Sequence, residues 1–279
     1  IPNVPEPDLS VCGPLAKSAK DLEIALDVMA GPIEREAKGW QLNLPSCKKT
    51  SLKEFKIAIW SDDELAPVSQ DISERCVEVG EKLASSGATV SFSARPEHDF
   101  LKAEINYQLL LQSVMQSGMS DEEFKHIEDI AANLEPGDDS VEAILAKGTV
   151  LSHRNWIRQN YAREQIKISW SKFFEDWDLI ICPQLATTAI EHNHKKISER
   201  TITVDNQEQR YFQQIFWPGL AVNAHLPSTV FPTGLSTNNM PIGLQAIGGL
   251  YEDKKTIKFT ELFEDEFKSF VLPNLEETL

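Results

Sequence analysis

The sequence lacks three features that each define a broad class of protein. No apolar run among the 279 residues approaches the roughly 20 residues that a membrane-spanning helix needs, so no membrane partner is expected. The start of the chain has no basic region followed by an apolar core, which argues against a signal peptide. Only four cysteines occur, and their spacing shows no pairs. Cys76 and Cys182 lie in apolar patterns typical of reduced core residues, which favours a cytoplasmic protein.

Positive charge is also scarce. The chain has 27 Lys and Arg against 43 Asp and Glu, which gives a formal net charge of −16. Such a surface repels phosphate backbones, so nucleic acid is not expected as a partner. The hydrophobic share of 41% is ordinary for a globular protein. The length is sufficient for one large α/β domain or two modest ones.

Several motifs that would indicate a catalytic nucleophile or a bound cofactor are missing. The sequence has no Gly-x-Ser-x-Gly nucleophile elbow, no phosphate-binding loop and no dinucleotide fingerprint, and it indicates no cofactor. His192 and His194 have the spacing of a metal-site fragment, but Lys195 and Lys196 follow directly and disfavour a bound cation. We therefore predict a surface loop at this position and no metal site.

The periodicity of apolar residues predicts an α/β chain. A β-α-β unit is expected over residues 56–92, with two parallel strands. An apolar run over 179–182 suits a central buried strand. The remaining predicted elements are helices over 18–31, 211–226 and 252–267, a polar loop over 184–208, and strands near 228–231 and 241–247.

Residues 99–177 form a mostly helical insert in this prediction. Asp99 can cap a first helix, Ser120 and Glu123 form a capping box for a second, and a third begins at about residue 139. This insert is the part of the chain best suited to be a subdomain or an oligomer surface.

Three segments carry a resemblance to a known family. Residues 13–18 read Gly-Pro-Leu-Ala-Lys-Ser, residues 178–183 read Asp-Leu-Ile-Ile-Cys-Pro, and residues 241–245 read Pro-Ile-Gly-Leu-Gln. In this order, and over roughly residues 9 to 272, they resemble segments of the amidase-signature enzymes. The chain is identified by these motifs as a member of that family.

The resemblance implies a fold and a chemistry. The fold is α/β/α, a mixed sheet flanked by helices, and residues 1–279 would form the C-terminal portion of a single amidase domain. Members of the family hydrolyse carboxamides through a serine, while a second serine and a lysine relay the proton. Water then clears the acyl-enzyme without a metal. The implied partner is a small-molecule amide substrate, and homo-oligomerisation is left open.

The stretch from residue 216 to residue 248 is similar to the last third of these enzymes. Its small residues allow backbones to pack closely and its aromatic residues supply an apolar wall, which is typical of a pocket. Ordinary core packing is the alternative. The substrate-pocket candidates are Phe216, Trp217, Pro218, Asn223 and Gln245. The segment 216–220 looks closest to bacterial amidases that act on small or aryl amides, rather than to the glutamine-handling transamidosome subunit.

The catalytic residues of the family cannot be placed in this sequence. In the family they all precede the segment that begins here at Gly13, so we assign no catalytic residue. Ser85 and Ser86 precede Gly87 but stand where a helix is expected to stop. Lys20 lies on the polar side of a predicted helix, as a solvated lysine does.

Three hypotheses follow for the function of the chain. The first is an amidase portion that is inactive alone. It leaves a sheet edge and apolar surface uncovered, so the isolated chain should self-associate or re-pair that edge. The second is a non-catalytic binding or scaffold relative, and the third is an enzyme with a separate site around His225.

Overall fold

The computed structural model describes residues 7–196, 199–268 and 270. The contacts divide the chain into two compact units, each described by itself. The first unit comprises Ile1–Cys12, Pro96–Lys172 and Val222–His225; the second comprises Gly13–Arg95, Phe173–Ala221 and Leu226–Leu279. No helix in the described residues is long and apolar enough to span a bilayer.

The second unit contains a five-stranded sheet and a separate two-stranded hairpin. In chain order the strands are β1 (Lys56–Ile59), β2 (Thr89–Ser91), β3 (Leu179–Pro183), β4 (Thr201–Val204), β5 (Gln207–Arg210), β6 (Ser228–Leu235) and β7 (Pro241–Gly248). The order in the sheet is β2-β1-β3-β7-β6. The first three strands are parallel, whereas β7 is antiparallel to both β3 and β6. The sheet is therefore mixed, as predicted.

The remaining described elements are helical. The α-helices are α1 (Ala19–Met29), α2 (Gln70–Ser85), α3 (Phe100–Met115), α4 (Asp121–Ala132), α5 (Val141–Thr149), α6 (His153–Asp176), α7 (Phe216–Ala224) and α8 (Asp253–Phe267). Helices α1, α2 and α8 belong to the second unit with the sheet, whereas α3, α4 and α5 belong to the first unit. The described elements between residues 100 and 176 are all helical. The predicted limits of the insert, 99–177, and its standing as a part of one domain remain predictions.

Strand β3 is at the centre of the sheet because every residue in it is apolar. It pairs with β1 on one side and with β7 on the other. Residues Leu179 to Cys182 are fully inaccessible to solvent. Burying an aliphatic side chain of this size contributes about 1.5–3 kcal/mol, so a strand of this composition is stable only with both faces covered. The prediction of a central buried strand is confirmed.

Helix α8 covers one face of the sheet at β6. The ring of Phe231 lies edge-on against Phe259 and Phe263, with centroid distances of 5.5 and 4.9 Å. The hydroxyls of Thr229 and Thr256 are 2.7 Å apart. Since side chains alternate along a strand, Thr229 and Phe231 share this covered face.

The helix caps predicted at Asp99 and at Ser120 are confirmed. Asp99 accepts a hydrogen bond from the backbone N–H of Lys102, and Ser18 in the same way accepts one from Asp21 at the start of α1. Ser120 and Glu123 form the reciprocal capping box at the start of α4. Helix α2 ends at Ser85, and Gly87 follows with φ of +90°, so the Ser-Ser-Gly tripeptide stops a helix here.

The prediction of a loop over 184–208 was wrong from residue 201 onward. Residues 201–210 form the β4–β5 hairpin, and Asp205 and Asn206 at its tip have φ of 46° and 66°. Two consecutive positive φ angles are typical of the tight turn that joins hairpin strands. Strand β4 alternates polar and apolar residues, with Ile202 and Val204 buried, but it is only four residues long, and β5 has no apolar residue. The signal was the Asp-Asn pair between two four-residue segments.

The helices differ from the prediction at two places. One helix was expected from about residue 139, but α5 ends at Thr149 and α6 begins at His153. The side chain of Ser152 accepts a hydrogen bond from Asn155 N–H and caps the new helix. The predicted helix over 211–226 begins as a 3-10 turn, and α7 itself starts at Phe216. Pro218 fits the first turn of α7 because N–H groups there have no helical partner.

Candidate functional site

Gln245 links three elements of the second unit. It lies on β7 and is only 1% exposed. Its Nε2 donates to the carbonyl of Pro183 at 2.9 Å and to that of Trp217 at 2.8 Å. Its Oε1 accepts from Ser228 Oγ at 2.9 Å. Both ends of the amide are engaged, so this side chain fixes the end of β3, the start of α7 and the start of β6 against one another.

Trp217 is the centre of an aromatic cluster in the same unit. It is fully buried, and its Nε1 donates to Ala66 O at 3.0 Å. Its ring lies edge-on to Trp60 at 5.7 Å and to Phe216 at 5.2 Å. Pro218, the next residue, is partly exposed. The structure therefore brings four of the five pocket candidates into one packed region of the second unit.

Asn223, the fifth candidate, belongs to the first unit. It is 4% exposed, and its Nδ2 donates to Asn106 Oδ1 at 3.3 Å. Its Oδ1 is buried and has no hydrogen-bond partner among the described residues. A buried acceptor without a donor costs about 1–3 kcal/mol. Among the five candidates, Asn223 is the one with a buried side-chain oxygen that accepts no hydrogen bond from the described residues.

The two buried thiols are poor nucleophiles. Burial raises the pKa of Cys182 to about 12, although a hydrogen bond with Gln245 opposes the shift. Burial also raises the pKa of Cys76 well above its ordinary value. A thiol must ionise to attack a carbonyl, so both residues are structural.

His225 lies at the end of α7 beside an ion pair of the first unit. Its backbone φ is +55°, and its Nε2 is 3.6 Å from Asp8 Oδ1. Asp8 in turn accepts a hydrogen bond from Arg163, which is 3% exposed, at 3.0 Å. Burial lowers the pKa of His225, Lys167 and Arg163 lower it further, and Asp8 opposes them. The imidazole is therefore part of a charged cluster.

A second histidine contact was not foreseen. His98 Nδ1 lies 3.0 Å from Ser169 Oγ, and the ring is flanked by Phe100 and Trp170. Burial lowers the pKa of His98 to about 4, so the imidazole is neutral at pH 7. Ser169 lies in the middle of α6 and is 9% exposed, which suits a packing role. The two residues are 71 positions apart, and no local sequence signal connects them.

A polar cavity of about 440 Å³ was also missed. It lies in the second unit, among loops that follow β1 and β3, and is lined by Ser69, Gln70, Asp71, Glu74, Thr187, Thr188, Asp205, Thr237 and Asn238. Its carboxylates already hold these loops together. Asp205 accepts from Gln70 N–H at 2.7 Å, and Asp71 accepts from Thr237 Oγ1 at 2.9 Å. Within the described residues, no group of three or more His, Cys, Asp or Glu side chains could hold a metal ion.

Comparison with known proteins decides the family. The model of the family described as Amidase matches residues 5–257, which is most of the chain. The chain belongs to the Amidase family. The family resemblance seen in the sequence is thus confirmed.

Two kinds of curated relative match at similar identity. A glutamyl-tRNA(Gln) amidotransferase subunit of Coxiella burnetii is 24% identical over 277 residues, covering 92% of this chain and 55% of that protein. Indoleacetamide hydrolase of Bradyrhizobium diazoefficiens is 23% identical over 255 residues, covering 88% of this chain and 44% of that protein. The chain thus spans about half the length of the curated relatives it matches. The narrower assignment to amidases of small or aryl amides stays a prediction.

Solved structures show the same fold. The crystal structure of the corresponding glutamyl-tRNA(Gln) amidotransferase subunit from Thermotoga maritima matches with a TM-score of 0.64 at 20% identity, covering 91% of this chain and 52% of that one. A bacterial aryl acylamidase of the amidase-signature family matches with a TM-score of 0.64 at 16% identity and the same coverage. At these identities the likeness concerns the fold alone.

Proposed function

We propose that this chain is the C-terminal portion of an amidase that cleaves carboxamide C–N bonds, and that it is inactive alone. One observation carries the proposal. The match covers 92% of this chain but only 55% of the relative. The segment that follows the catalytic residues in the family already begins here at Gly13. The nucleophile, relay serine, lysine and oxyanion hole would then belong to polypeptide that precedes this chain.

The family chemistry determines what that preceding polypeptide must supply. A serine oxygen attacks the amide carbonyl, the C–N bond breaks, and the amine leaves with a proton relayed by the second serine and the lysine. Water then hydrolyses the acyl-enzyme. Backbone N–H groups of the Gly- and Ser-rich segment would stabilise the oxyanion. The reaction uses no metal or organic cofactor.

This chain would contribute the wall of the acyl pocket. We propose Phe216, Trp217, Pro218, Asn223 and Gln245 for this role. The rings of Phe216 and Trp217 are buried and would support this wall from the core, and Gln245 holds the backbone of Trp217 in place through its 2.8 Å hydrogen bond. The substrate would be a small-molecule amide in the cytoplasm, and homo-oligomerisation is left open.

The reading frame upstream of Ile1 tests the proposal. A Gly- and Ser-rich segment there, with a lysine further upstream, is expected. The extended protein should hydrolyse simple amides, and alanine at the proposed nucleophile should abolish turnover. A start codon directly before Ile1, with ligand binding but no turnover, would instead support a non-catalytic scaffold relative.

A further inference from the structure

The polar cavity at the start of α2 contains negative charge that no cation compensates. Asp71, Glu74 and Asp205 line it. The backbone N–H and the side chain of Gln70 donate to Asp205 and Glu74, at 2.7 and 2.6 Å. Thr237 Oγ1 donates to Asp71 at 2.9 Å. The lining includes no Lys, Arg or His, and none of the three carboxylates has an ion pair in the described part of the chain.

Ser69 adds a hydroxyl without a partner to the same cavity. The residue stands directly before α2, where a serine side chain ordinarily accepts a hydrogen bond from the first turn of the helix. The Ser69 side chain makes no such bond, and no other group among the described residues bonds to it, although the residue is only 8% exposed. A buried hydroxyl without a partner is unfavourable, so Ser69 Oγ is available to a ligand in the cavity.

The charge of the lining decides which kind of ligand fits. A helix N-terminus ordinarily favours anions. In α2, however, the N–H of Gln70 already bonds to Asp205. The N–H groups of Ile72 and Ser73 bond to the carbonyl of Ser69. Three carboxylates also outweigh the roughly half positive charge of a helix end, so the cavity favours a cation.

The spread of the carboxylates distinguishes an organic cation from a metal ion. They do not converge on one point, since no group of three or more acidic, His or Cys side chains in the described ranges could hold a metal ion. Asp205 and Glu74 bond to opposite ends of Gln70, its backbone and its amide. Negative charges spread in this way suit a ligand whose positive charges are also spread. The volume of about 440 Å³ is in the range of small-molecule sites.

We propose that this cavity binds an aliphatic diamine. Its two ammonium groups pair with the carboxylates of the lining, and Ser69 Oγ accepts a hydrogen bond from one of them. Each ammonium has three N–H donors and no acceptor, which matches a lining whose charged groups are all acceptors. None of the five substrate-pocket candidates lines the cavity, and the inference does not depend on the proposed amidase function.

Isothermal titration calorimetry of the 279-residue chain at low ionic strength tests the proposal. Putrescine, a four-carbon diamine, is the probe, and butylamine and magnesium chloride are the comparison ligands. Putrescine should bind saturably, about tenfold more tightly than butylamine, because the second ammonium adds a charge-assisted hydrogen bond. Magnesium at the same concentration should not displace it. In NMR spectra, putrescine should shift the amide signals of Gln70, Thr188 and Thr237.

Two isosteric variants remove charge from the lining while keeping a hydrogen-bond acceptor. Asp71→Asn and Asp205→Asn should each weaken putrescine binding about tenfold. Asp21→Asn is the matched control. It removes the same charge from the first turn of α1, at an exposed position that does not line the cavity, and should bind putrescine as wild type does.

A third variant, Ser69→Ala, separates ligand binding from helix capping. Because the Ser69 hydroxyl does not cap α2, this variant should unfold at the same urea concentration as wild type and yet bind putrescine more weakly. Ser120→Ala, which removes a side chain that caps α4, should unfold at lower urea and bind putrescine normally.

Several results would overturn the proposal. They are the absence of saturable binding, equal affinity for putrescine and butylamine, displacement by magnesium, and wild-type affinity in both Asp71→Asn and Asp205→Asn. Shifted amide signals away from the cavity would also contradict it, and this measurement on the wild-type chain decides the matter if a variant fails to fold. None of these outcomes bears on the amidase assignment, which turnover tests separately.

Discussion

The Nε2 of Gln245 donates to the carbonyl of Trp217 at 2.8 Å, so a side chain on β7 holds the backbone at the start of α7. Because the same nitrogen also bonds to Pro183 O, the end of the central strand is held in the same way. The polar residue in the Pro-Ile-Gly-Leu-Gln segment therefore has a structural explanation that requires no ligand.

Replacing Gln245 with leucine should destabilise the fold strongly. The change leaves the buried carbonyls of Pro183 and Trp217 without donors, and we expect a loss of about 2–4 kcal/mol in the free energy of unfolding. Urea unfolding of the isolated chain measures it. Ser228→Ala, which removes only the partly buried hydrogen bond to Oε1, should cost about 1 kcal/mol. A Gln245→Leu variant as stable as wild type would refute this structural role.

Gly234 should not tolerate a side chain. Its φ is +117°, and a Cβ would lie 2.5 Å from the guanidinium nitrogen of Arg75 that donates to the carbonyl of Thr233. Gly234→Ala should lower the free energy of unfolding by about 2–3 kcal/mol. Gly118→Ala is the matched control, because no atom lies within 4 Å of its Cβ position. If the two variants have equal stability in chemical denaturation, the conformation described for Gly234 is wrong.

Glu104 should make the first unit less stable as the pH rises. Burial raises the pKa of its carboxyl from 4.5 to about 7, although a hydrogen bond from Gln108 opposes the shift. The folded state therefore holds a proton that the unfolded state releases near pH 4.5, so stability falls between pH 4.5 and 7 and then levels off. Glu104→Gln should remove this loss, which is worth up to about 3 kcal/mol above pH 7.

Unfolding of both proteins by urea at several pH values between 5 and 8 provides the test. The stability difference between Glu104→Gln and wild type should grow with pH across that range. Glu122→Gln, at an exposed position on α4, is the control and should show no comparable trend. A constant difference for Glu104→Gln would mean that its carboxyl ionises normally in the folded protein.

Much of the fold could be predicted because its signals are local. The buried run of β3, the capping box of Ser120 and Glu123, and the helix stop at Gly87 all depend on neighbours within a few residues. The β4–β5 hairpin was missed because the alternation is confined to the four residues of β4, whereas β5 contains only polar residues.

The candidate site was less accessible to sequence reasoning because its contacts are long-range. Gln245 was chosen from a motif, but its bond to Pro183 spans 62 positions and its bond to Trp217 spans 28. Nothing in the sequence indicated that Asn223 would belong to a different unit from the other candidates. The first residues of α7 belong to the second unit and its last residues to the first. The motifs identified the family, whereas only the folded structure shows what each side chain contacts.

Amide hydrolysis by the purified 279-residue chain, alone and with the upstream polypeptide, tests the central claim most directly. An aryl anilide, a primary arylacetamide and glutamine serve as probes. We expect no turnover by the chain alone and turnover of at least one probe when both polypeptides are present. Turnover by the chain alone would contradict the account, and its loss in His225→Ala would assign the activity to a separate site around that residue.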